Sequence, residues 1–299
     1  LPINTTARLP GSINCNLNVI RMPTTSASDT GNEPLFLQAG ASKTAVACIT
    51  SSPPIALPGS SLPRHSSDYR GTESRYSLPT VIGGWLGCYL VANILGGVIV
   101  GATAPSGEEP IWVLGASALA LWTPFIVMLV MLSRKLGSGN FWSDYSVRFR
   151  PIDALGIPLG IASQILLVSA VYWPLRKIFP NTFDAADVED RARDLYDRAD
   201  GWWLVVLVLI VVVGAPIVEE LVYRGFIQGT LRGTMNHGVA LVVTALWFAL
   251  IHFVPVEYPG LFAIALVLGL SYHFSHRIGM AIVTHMAFNA TGLLLVALK

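Results

Sequence analysis

The sequence predicts an all-α protein, a polytopic bundle of about seven transmembrane helices preceded by a disordered N-terminal segment. The first observation is composition: hydrophobic residues make up 53% of the 299 residues and charged residues only 12%, whereas soluble globular chains carry roughly 25% charged residues. So few charges cannot cover a water-soluble fold of this size, and much of the surface must face lipid. The second observation is that apolar runs recur from Pro79 onwards, each approaching the ~20 residues that a bilayer crossing needs.

Charge and cysteine content exclude other classes of protein. A net charge of +1 and a pI near 7.9 are too balanced for a nucleic-acid binder. The three cysteines, Cys15, Cys48 and Cys88, are too few and too scattered for a disulfide framework or a zinc knuckle. The expected surroundings are therefore the lipid bilayer, with no nucleic-acid partner.

The first domain, residues 1–79, is rich in Ser, Thr and Pro and has no sustained apolar run. Such a segment cannot bury enough apolar surface to offset its chain entropy, so we expect it to be disordered. We also expect residues 1–75 to be dispensable for insertion and activity.

The second domain, residues 80–299, is the predicted transmembrane bundle. Its seven apolar spans are 80–101, 111–133, 154–174, 202–224, 238–254, 259–274 and 278–298. The fifth and sixth are short, so six or eight crossings fit the sequence as well. A long-period repeat is not visible in the sequence, which disfavours a transporter built from inverted repeats.

Lysine and arginine in the connections predict the orientation, because they are enriched in cytoplasmic loops. The loop after the second span carries four basic residues in 134–150, and single arginines mark the loops near 232 and 277. The intervening connections hold Glu108 and Glu109, an acidic mixture over 176–201, and Glu257. The basic connections are therefore predicted to face the inside and the acidic ones the outside.

Polar residues inside three of these spans point to one functional site. A charged side chain at mid-bilayer costs ~2.5–3.5 kcal/mol on insertion scales, so such residues need partners or a water-filled cavity. The fourth span contains Glu219, Glu220 and Arg224, the fifth contains His252, and the seventh contains His285 and Asn289. Counted from the inside loops at 1.5 Å per residue, these groups lie roughly 12–22 Å deep. This shared depth favours convergence on one site.

Helical geometry separates the two glutamates. Residues four apart share a helix face, whereas neighbours point about 100° apart. Glu220 and Arg224 can therefore pair, and a purely structural ion pair is one interpretation of them. Glu219 faces elsewhere and is free to meet His252 and His285.

The same residues form three motifs: Glu219–Arg224 reads EExxxR, Phe248–His252 reads FxxxH, and His285–Asn289 reads HxxxN. In this order on successive apolar helices they resemble the CPBP family of intramembrane proteases, which comprises type II CAAX prenyl endopeptidases and bacteriocin-processing (Abi) proteins. The resemblance covers about residues 150–299, where we expect the protease core.

The resemblance implies an intramembrane endopeptidase with a glutamate- and histidine-activated water. Glu219 would activate the water with His252, and His285 and Asn289 would stabilise the oxyanion. Glu220 and Arg224 would support the site, and Phe248 is expected to pack behind the histidine. The cavity is predicted to open to the cytoplasmic side. The substrate would be a peptide or protein, including one lipid-modified at its C-terminus, and the location an integral membrane, the plasma membrane for a bacterial source.

Three alternatives stay open at this point. Zinc could be held by Glu219, His252 and His285, because one glutamate with two histidines is a known catalytic ligand set and the family has also been described as metalloproteases. We favour no cofactor, because the HExxH pair is missing and because a carboxylate tied to Arg224 leaves no evident partner to orient a ligand histidine. The other two alternatives are a non-catalytic membrane immunity or regulatory protein and a proton-coupled transporter.

Overall fold

The structure, a computed structural model, describes residues 76–103, 111–183, 192–199 and 201–298. Every regular element in these ranges is helical and none of their residues forms a strand, which confirms the all-α prediction. Residues 1–75, on which most of the predicted disorder falls, lie outside the described residues. The folded part begins before the predicted boundary at residue 79, because Tyr76 is already buried and the first helix starts at Leu78.

In the described part of the chain, seven apolar helices correspond to the predicted spans. They are α1 (Leu78–Thr103), α2 (Ile111–Leu136), α3 (Pro151–Ile178), α4 (Trp202–Leu231), α5 (His237–Leu250), α6 (Pro255–Ser275) and α7 (Ile278–Ala297). Six are long and apolar enough to cross a membrane, whereas α5 has only 14 residues. At 1.5 Å per residue α5 covers roughly 21 Å, less than the ~30 Å hydrocarbon core. The polytopic bundle is thus confirmed, with one helix of the described part too short to cross alone.

Helices α3 and α4 mix α-helical and π-helical turns. In α4 two π segments, Leu209–Gly214 and Leu221–Gln228, flank the α-helical stretch Ala215–Glu220. In α3 the π segment is Ser163–Leu167. Such turns are rare and occur often at functional sites, and in α4 they flank the stretch that carries Glu219 and Glu220.

Helices α3 and α7 approach each other closely through glycine. A Cβ atom on Gly160 would lie 2.3 Å from the backbone oxygen of Thr284. Only a residue without a side chain fits there, as is common where transmembrane helices pack. This contact fixes α7, which carries two of the motif residues, against α3.

The predicted basic connections meet at one end of the bundle, which we call the basic end (residues 134–150, 232–237 and 273–277). Arg277 forms a buried ion pair with Asp153 at 2.6 Å. The amide of Ile278 donates to the backbone oxygen of Ser146 at 3.1 Å. These bonds tie the beginnings of α3 and α7 together.

The described parts of the other connections (residues 179–183, 192–199 and 251–257) define the acidic end, and the full connections carry more acidic than basic side chains in the sequence. The hydroxyl of Tyr172, near the end of α3, donates to the backbone oxygen of Val256 at 2.7 Å. The separation of the two sets of connections agrees with the alternation predicted from charge.

The core is densest in the second half of α4. All thirteen residues from Glu220 to Arg232 are buried. Gln228 adds a hydrogen bond to α6, donating from Nε2 to the backbone oxygen of Gly269 at 3.1 Å. The catalytic candidates lie where this packed stretch begins.

Candidate active site

The adjacent carboxylates of α4 have different surroundings. The side chain of Glu219 is 26% exposed, whereas that of Glu220 is fully buried. Because neighbouring helical residues point about 100° apart, one reaches a cavity and the other points into the protein interior. This is the separation that the sequence predicted.

Glu220 is the centre of a buried polar network. Its Oε1 accepts hydrogen bonds from Arg224 Nη1 at 2.7 Å and from His285 Nδ1 at 2.9 Å. Arg224 also donates from Nη2 to the backbone oxygen of Ala265 at 3.1 Å, and its guanidinium carbon lies 4.9 Å from the ring centroid of Phe248. The ion pair expected from the i,i+4 spacing is therefore present, and the network extends to α6 and α7.

His285 joins the two carboxylates. Its Nδ1–H donates to Glu220, which leaves Nε2 directed toward Glu219, 3.8 Å from Oε2. The expectation that a carboxylate tied to Arg224 could not orient a histidine is wrong, because Oε1 of Glu220 accepts from both partners. A carboxylate behind Nδ1 fixes the ring orientation and the tautomer.

His252 lies two residues beyond the end of α5 rather than within a continuous span. The helix ends at Leu250, Phe253 takes a positive φ of 54°, and Pro255 cannot continue the helix. The ring is still fixed, because Nδ1–H donates to the backbone oxygen of Phe248 at 2.7 Å. The Nε2 atom of His252 therefore remains as an acceptor.

Phe248 is buried, as expected for a packing residue. Its ring centroid lies 4.9 Å from that of His252 and 5.9 Å from that of His285. The phenyl ring therefore holds both imidazoles in place and covers the buried pair beneath them.

Asn289 faces the same region from α7. One N–H of its Nδ2 donates to the backbone oxygen of Val211 at 2.8 Å. Val211 belongs to the π segment Leu209–Gly214. The second N–H of the amide stays available for a ligand, because Nδ2 carries two hydrogens.

Glu219, His252, His285 and Asn289 line one cavity of about 520 Å³. Its walls are otherwise mainly apolar, with contributions from α2, α3, α4, α6 and α7. A concave, mostly apolar site with a few convergent polar groups is the usual form of a ligand-binding site. A second cavity of about 250 Å³, lined by aromatic residues of α1, α2 and α4, shares Glu219 with the first.

Gln164 and Glu257 are among the polar residues of the larger cavity that sequence reasoning missed. Gln164 is a single amide in the apolar span of α3, a signal that could have singled it out. In the sequence, Glu257 is only one of the loop charges that predict orientation. Its approach to the cavity depends on the turn that ends α5.

The donor set does not favour a metal centre. Among the described residues, no group of three His, Cys, Asp or Glu side chains is close enough to hold a metal ion. The orienting bonds on Nδ1 of His252 and of His285 are nevertheless of the kind that support ligand histidines. Zinc binding by Glu219, His252 and His285 stays a prediction.

The larger cavity lies nearer to one end of the bundle than to the other. Its lining includes Leu114 near the start of α2, Tyr172 near the end of α3 and Leu293 near the end of α7, and also Glu257. Glu257 belongs to the acidic end, and the other three lie in the halves of their helices that adjoin it. The side of the membrane that this half faces stays a prediction from charge.

Comparison with known families agrees with the three motifs. Residues 201–291 match the family model described as type II CAAX prenyl endopeptidase Rce1-like. Neither the curated proteins nor the solved structures gave a match. The matched region contains all seven residues singled out above, from Glu219 to Asn289. Residues 201–291 of this integral membrane protein are thus similar to the type II CAAX prenyl endopeptidase Rce1-like family, and this match is consistent with the CPBP family.

Proposed function

We propose that the protein is an intramembrane endopeptidase that hydrolyses a peptide bond with a water activated by Glu219 and His252. The observation that carries this proposal is the contrast at Glu219–Glu220. One carboxylate is open to a 520 Å³ cavity while its neighbour, buried beneath, holds His285 toward the same point. A base, an oxyanion donor and a substrate cavity are the requirements of peptide hydrolysis.

In the proposed reaction the Glu219 carboxylate takes a proton from water as the water oxygen attacks the carbonyl carbon. The Nε2 atom of His252, free because Nδ1–H is bonded to Phe248, accepts a hydrogen bond from the same water. Breakdown of the tetrahedral intermediate cleaves the C–N bond, and Glu219 returns the proton to the leaving amine. The products are one carboxyl group and one amine.

The oxyanion that forms needs hydrogen-bond donors. Asn289 supplies the amide N–H that Val211 does not use, and His285 supplies Nε2–H in its imidazolium form. Such donors are commonly worth about 10²–10³ in rate each. Glu220 and Arg224 contribute indirectly, by holding His285.

The family match supports a peptide or protein substrate, including one carrying a C-terminal lipid modification. Processing of the CAAX type would remove residues after a prenylated cysteine. We extend the proposal to such substrates, with no metal or other cofactor, and to a plasma-membrane location for a bacterial source.

The direct test is conversion of labelled peptides by the purified protein in detergent or lipid. Peptides with and without a prenylated cysteine are followed by mass spectrometry, which reports the bond that is cut. We expect cleavage by the wild type and its loss in Glu219→Gln. The matched control is Asp194→Asn, because Asp194 is exposed and paired only with Arg198, where an ion pair contributes little. An intact, folded protein that cleaves neither peptide would favour a non-catalytic role.

A further inference from the structure

We propose that Gln164 of α3 binds the backbone of the substrate peptide, two or three residues away from the bond that is cleaved. This inference rests on the proposed function and deepens it, because it names a residue that sets the register of the substrate in the same cavity. Gln164 lies outside residues 201–291, so the family match assigns it no role.

The position of Gln164 on α3 makes it part of the cavity wall. Gln164, Val168 and Tyr172 follow one another at intervals of four residues, and all three line the 520 Å³ cavity. Residues at this spacing share one helix face. The next two residues, Ile165 and Leu166, are 44% and 67% exposed on the outer surface of the bundle. Gln164 is therefore a polar residue on the inward face of an apolar span.

The side-chain amide of Gln164 lacks a protein partner. Neighbouring hydroxyl groups on α3 are satisfied within the helix, because Ser163 donates to the backbone oxygen of Leu159 at 2.7 Å and Ser169 to that of Ile165 at 2.6 Å. Within the ranges that the structure describes, by contrast, no group forms a hydrogen bond with the amide of Gln164. A polar group in apolar surroundings costs free energy until it finds a partner. The amide of Gln164 is thus available to a ligand in the cavity.

Helix α7 leaves open space beside this amide. A Cβ atom on Gly292 would lie 3.5 Å from Nε2 of Gln164 and 3.8 Å from Oε1, so any side chain at this position would contact the amide. Gly292 follows His285 by seven residues and Asn289 by three, and these spacings place all three on one face of α7. The imidazole, the Asn289 amide and the Gln164 amide therefore form one line of polar groups along the cavity.

The length of this line fits a short stretch of peptide. At 1.5 Å per residue the level of Gly292 lies roughly 4.5 Å beyond Asn289 and roughly 10.5 Å beyond His285, the two residues proposed to bind the oxyanion. An extended peptide advances about 3.3 Å per residue. A peptide group two or three residues from the cleaved bond then reaches Gln164.

The chemistry of the two partners also matches. A carboxamide carries both N–H donors and a carbonyl acceptor, and a peptide group offers one acceptor and one donor. Such pairing reads the backbone and not the side chains of the substrate. Gln164 would therefore fix which bond lies beside Glu219, with little selection for substrate sequence.

The test combines a substitution in the protein with a substitution in the peptide. Gln164→Met keeps the length of the side chain and removes the amide, and Gln164→Leu is the second variant in case the first fails to fold. Ser163→Ala is the matched control, because it removes a polar group from the same π segment that does not line the cavity. The probe is the labelled peptide with a prenylated cysteine. Each backbone amide within three residues of the bond after that cysteine is replaced in turn by an ester, which removes the N–H and keeps the shape.

With the wild type, we expect one ester to raise KM about 3–10-fold, as loss of one hydrogen bond does, with little change in kcat. In Gln164→Met the unmodified peptide should show the same rise in KM, and the ester at that position should add nothing further. Ser163→Ala should behave as the wild type with every peptide. Esters that cost as much in Gln164→Met as in the wild type, or a wild-type KM in that variant, would overturn the inference. Loss of kcat together with thermal stability in Gln164→Met would overturn it too, because Gln164 would then be a packing residue.

An equilibrium-binding measurement separates this inference from the proposed function. The prenylated peptide is titrated by fluorescence anisotropy against Glu219→Gln protein with and without Gln164→Met, and we expect about 3–10-fold weaker binding in the double variant. That difference, with no cleavage by the wild type, would refute the proposed function and support the role of Gln164. Cleavage by the wild type with no effect of Gln164 on binding would refute the inference alone. A peptide that does not bind the Glu219→Gln protein at all would also overturn the inference.

Discussion

Two halves of α4 show how one helix can serve opposite purposes. From Trp202 to Glu219 the helix is mostly half-buried and borders the 520 Å³ cavity, whereas from Glu220 to Arg232 it is buried throughout. The change occurs between two adjacent glutamates: Glu219 is exposed to the cavity, and Glu220 is fully buried. The packed half (Glu220–Arg232) holds His285 in place through Glu220. The hollow half (Trp202–Glu219) leaves room beside Glu219 for water and a peptide.

The difference between the halves follows from where polar side chains find partners. In the packed half, Arg224 and Gln228 bond to neighbouring helices, so the space between the helices closes. In the hollow half, Oε2 of Glu219 lies 3.8 Å from Nε2 of His285, too far for a hydrogen bond. A carboxylate that faces a cavity without a hydrogen bond is suited to proton transfer, whereas a buried one that holds an arginine and a histidine is suited to positioning.

The largest expected effect comes from Glu219→Gln. The amide keeps the shape of the side chain and cannot accept the proton from water, so turnover should fall by about 10²–10⁴-fold or more. The thermal unfolding midpoint should stay near that of the wild type, because the side chain has few partners. Peptide turnover and thermal unfolding, measured on the same preparation, decide this. Wild-type rates in the variant would show that Glu219 is not the base.

Glu220→Gln should break the packed half instead. It leaves the fully buried Arg224 without its counter-charge, and loss of one partner of a buried pair costs about 3–5 kcal/mol. We expect lower unfolding temperature and lower activity together. Arg224→Ala should resemble it, and Glu219→Gln should not. A Glu220→Gln protein with wild-type stability would mean that the pair does not hold the bundle.

Asn289→Ala tests the oxyanion role with a smaller loss. Removal of one donor should lower kcat by about 10²–10³-fold, with little change in KM. Thr291→Ala is the matched control, because Thr291 lies on the same helix and its hydroxyl bonds only to the backbone oxygen of Ala287. Equal losses in the two variants would indicate disturbed packing of α7 rather than a lost donor.

Local geometry explains why part of the site could be predicted from the sequence. The pairing of Glu220 with Arg224 and the divergence of Glu219 follow from helical periodicity alone. The convergence of three helices follows from the cost of polar groups in lipid. Both arguments need only the spacing of residues along one helix or their depth in the membrane.

The remaining features depend on contacts between distant residues. The bond between His285 and Glu220 joins residues 65 apart in the chain. The π segments of α4 change the direction in which its side chains point, and they leave no signal in the hydropathy of the sequence. The side of the cavity depends on which helix halves separate. The number of charged residues in the connections predicts which connections share an end of the bundle. It does not predict which end adjoins the cavity.

Zinc removal should have no effect if the hollow half works with water alone. We expect the purified active protein to contain no stoichiometric zinc by elemental mass spectrometry. Zinc bound one to one, with activity lost on its removal and restored by its return, would show that Glu219, His252 and His285 move together to form a metal site. Inhibition by a chelator alone does not decide, because chelators can perturb a membrane protein without stripping a catalytic ion.

The smallest effect is expected at the N-terminal boundary, where the ring of Tyr76 packs edge-on against Phe226 of the packed half. Tyr145 donates its only hydroxyl hydrogen to the backbone oxygen of Leu129, so Tyr76 is the donor in the 3.2 Å contact between the two hydroxyls. Burial raises the pKa of Tyr145, which keeps it neutral. Tyr76→Phe should therefore cost about 1 kcal/mol of stability and leave turnover unchanged, measured by thermal unfolding and peptide hydrolysis.

Deletion of residues 1–75 should change neither the stability nor the turnover. A deletion that abolished activity at normal expression would show that the tail takes part in catalysis.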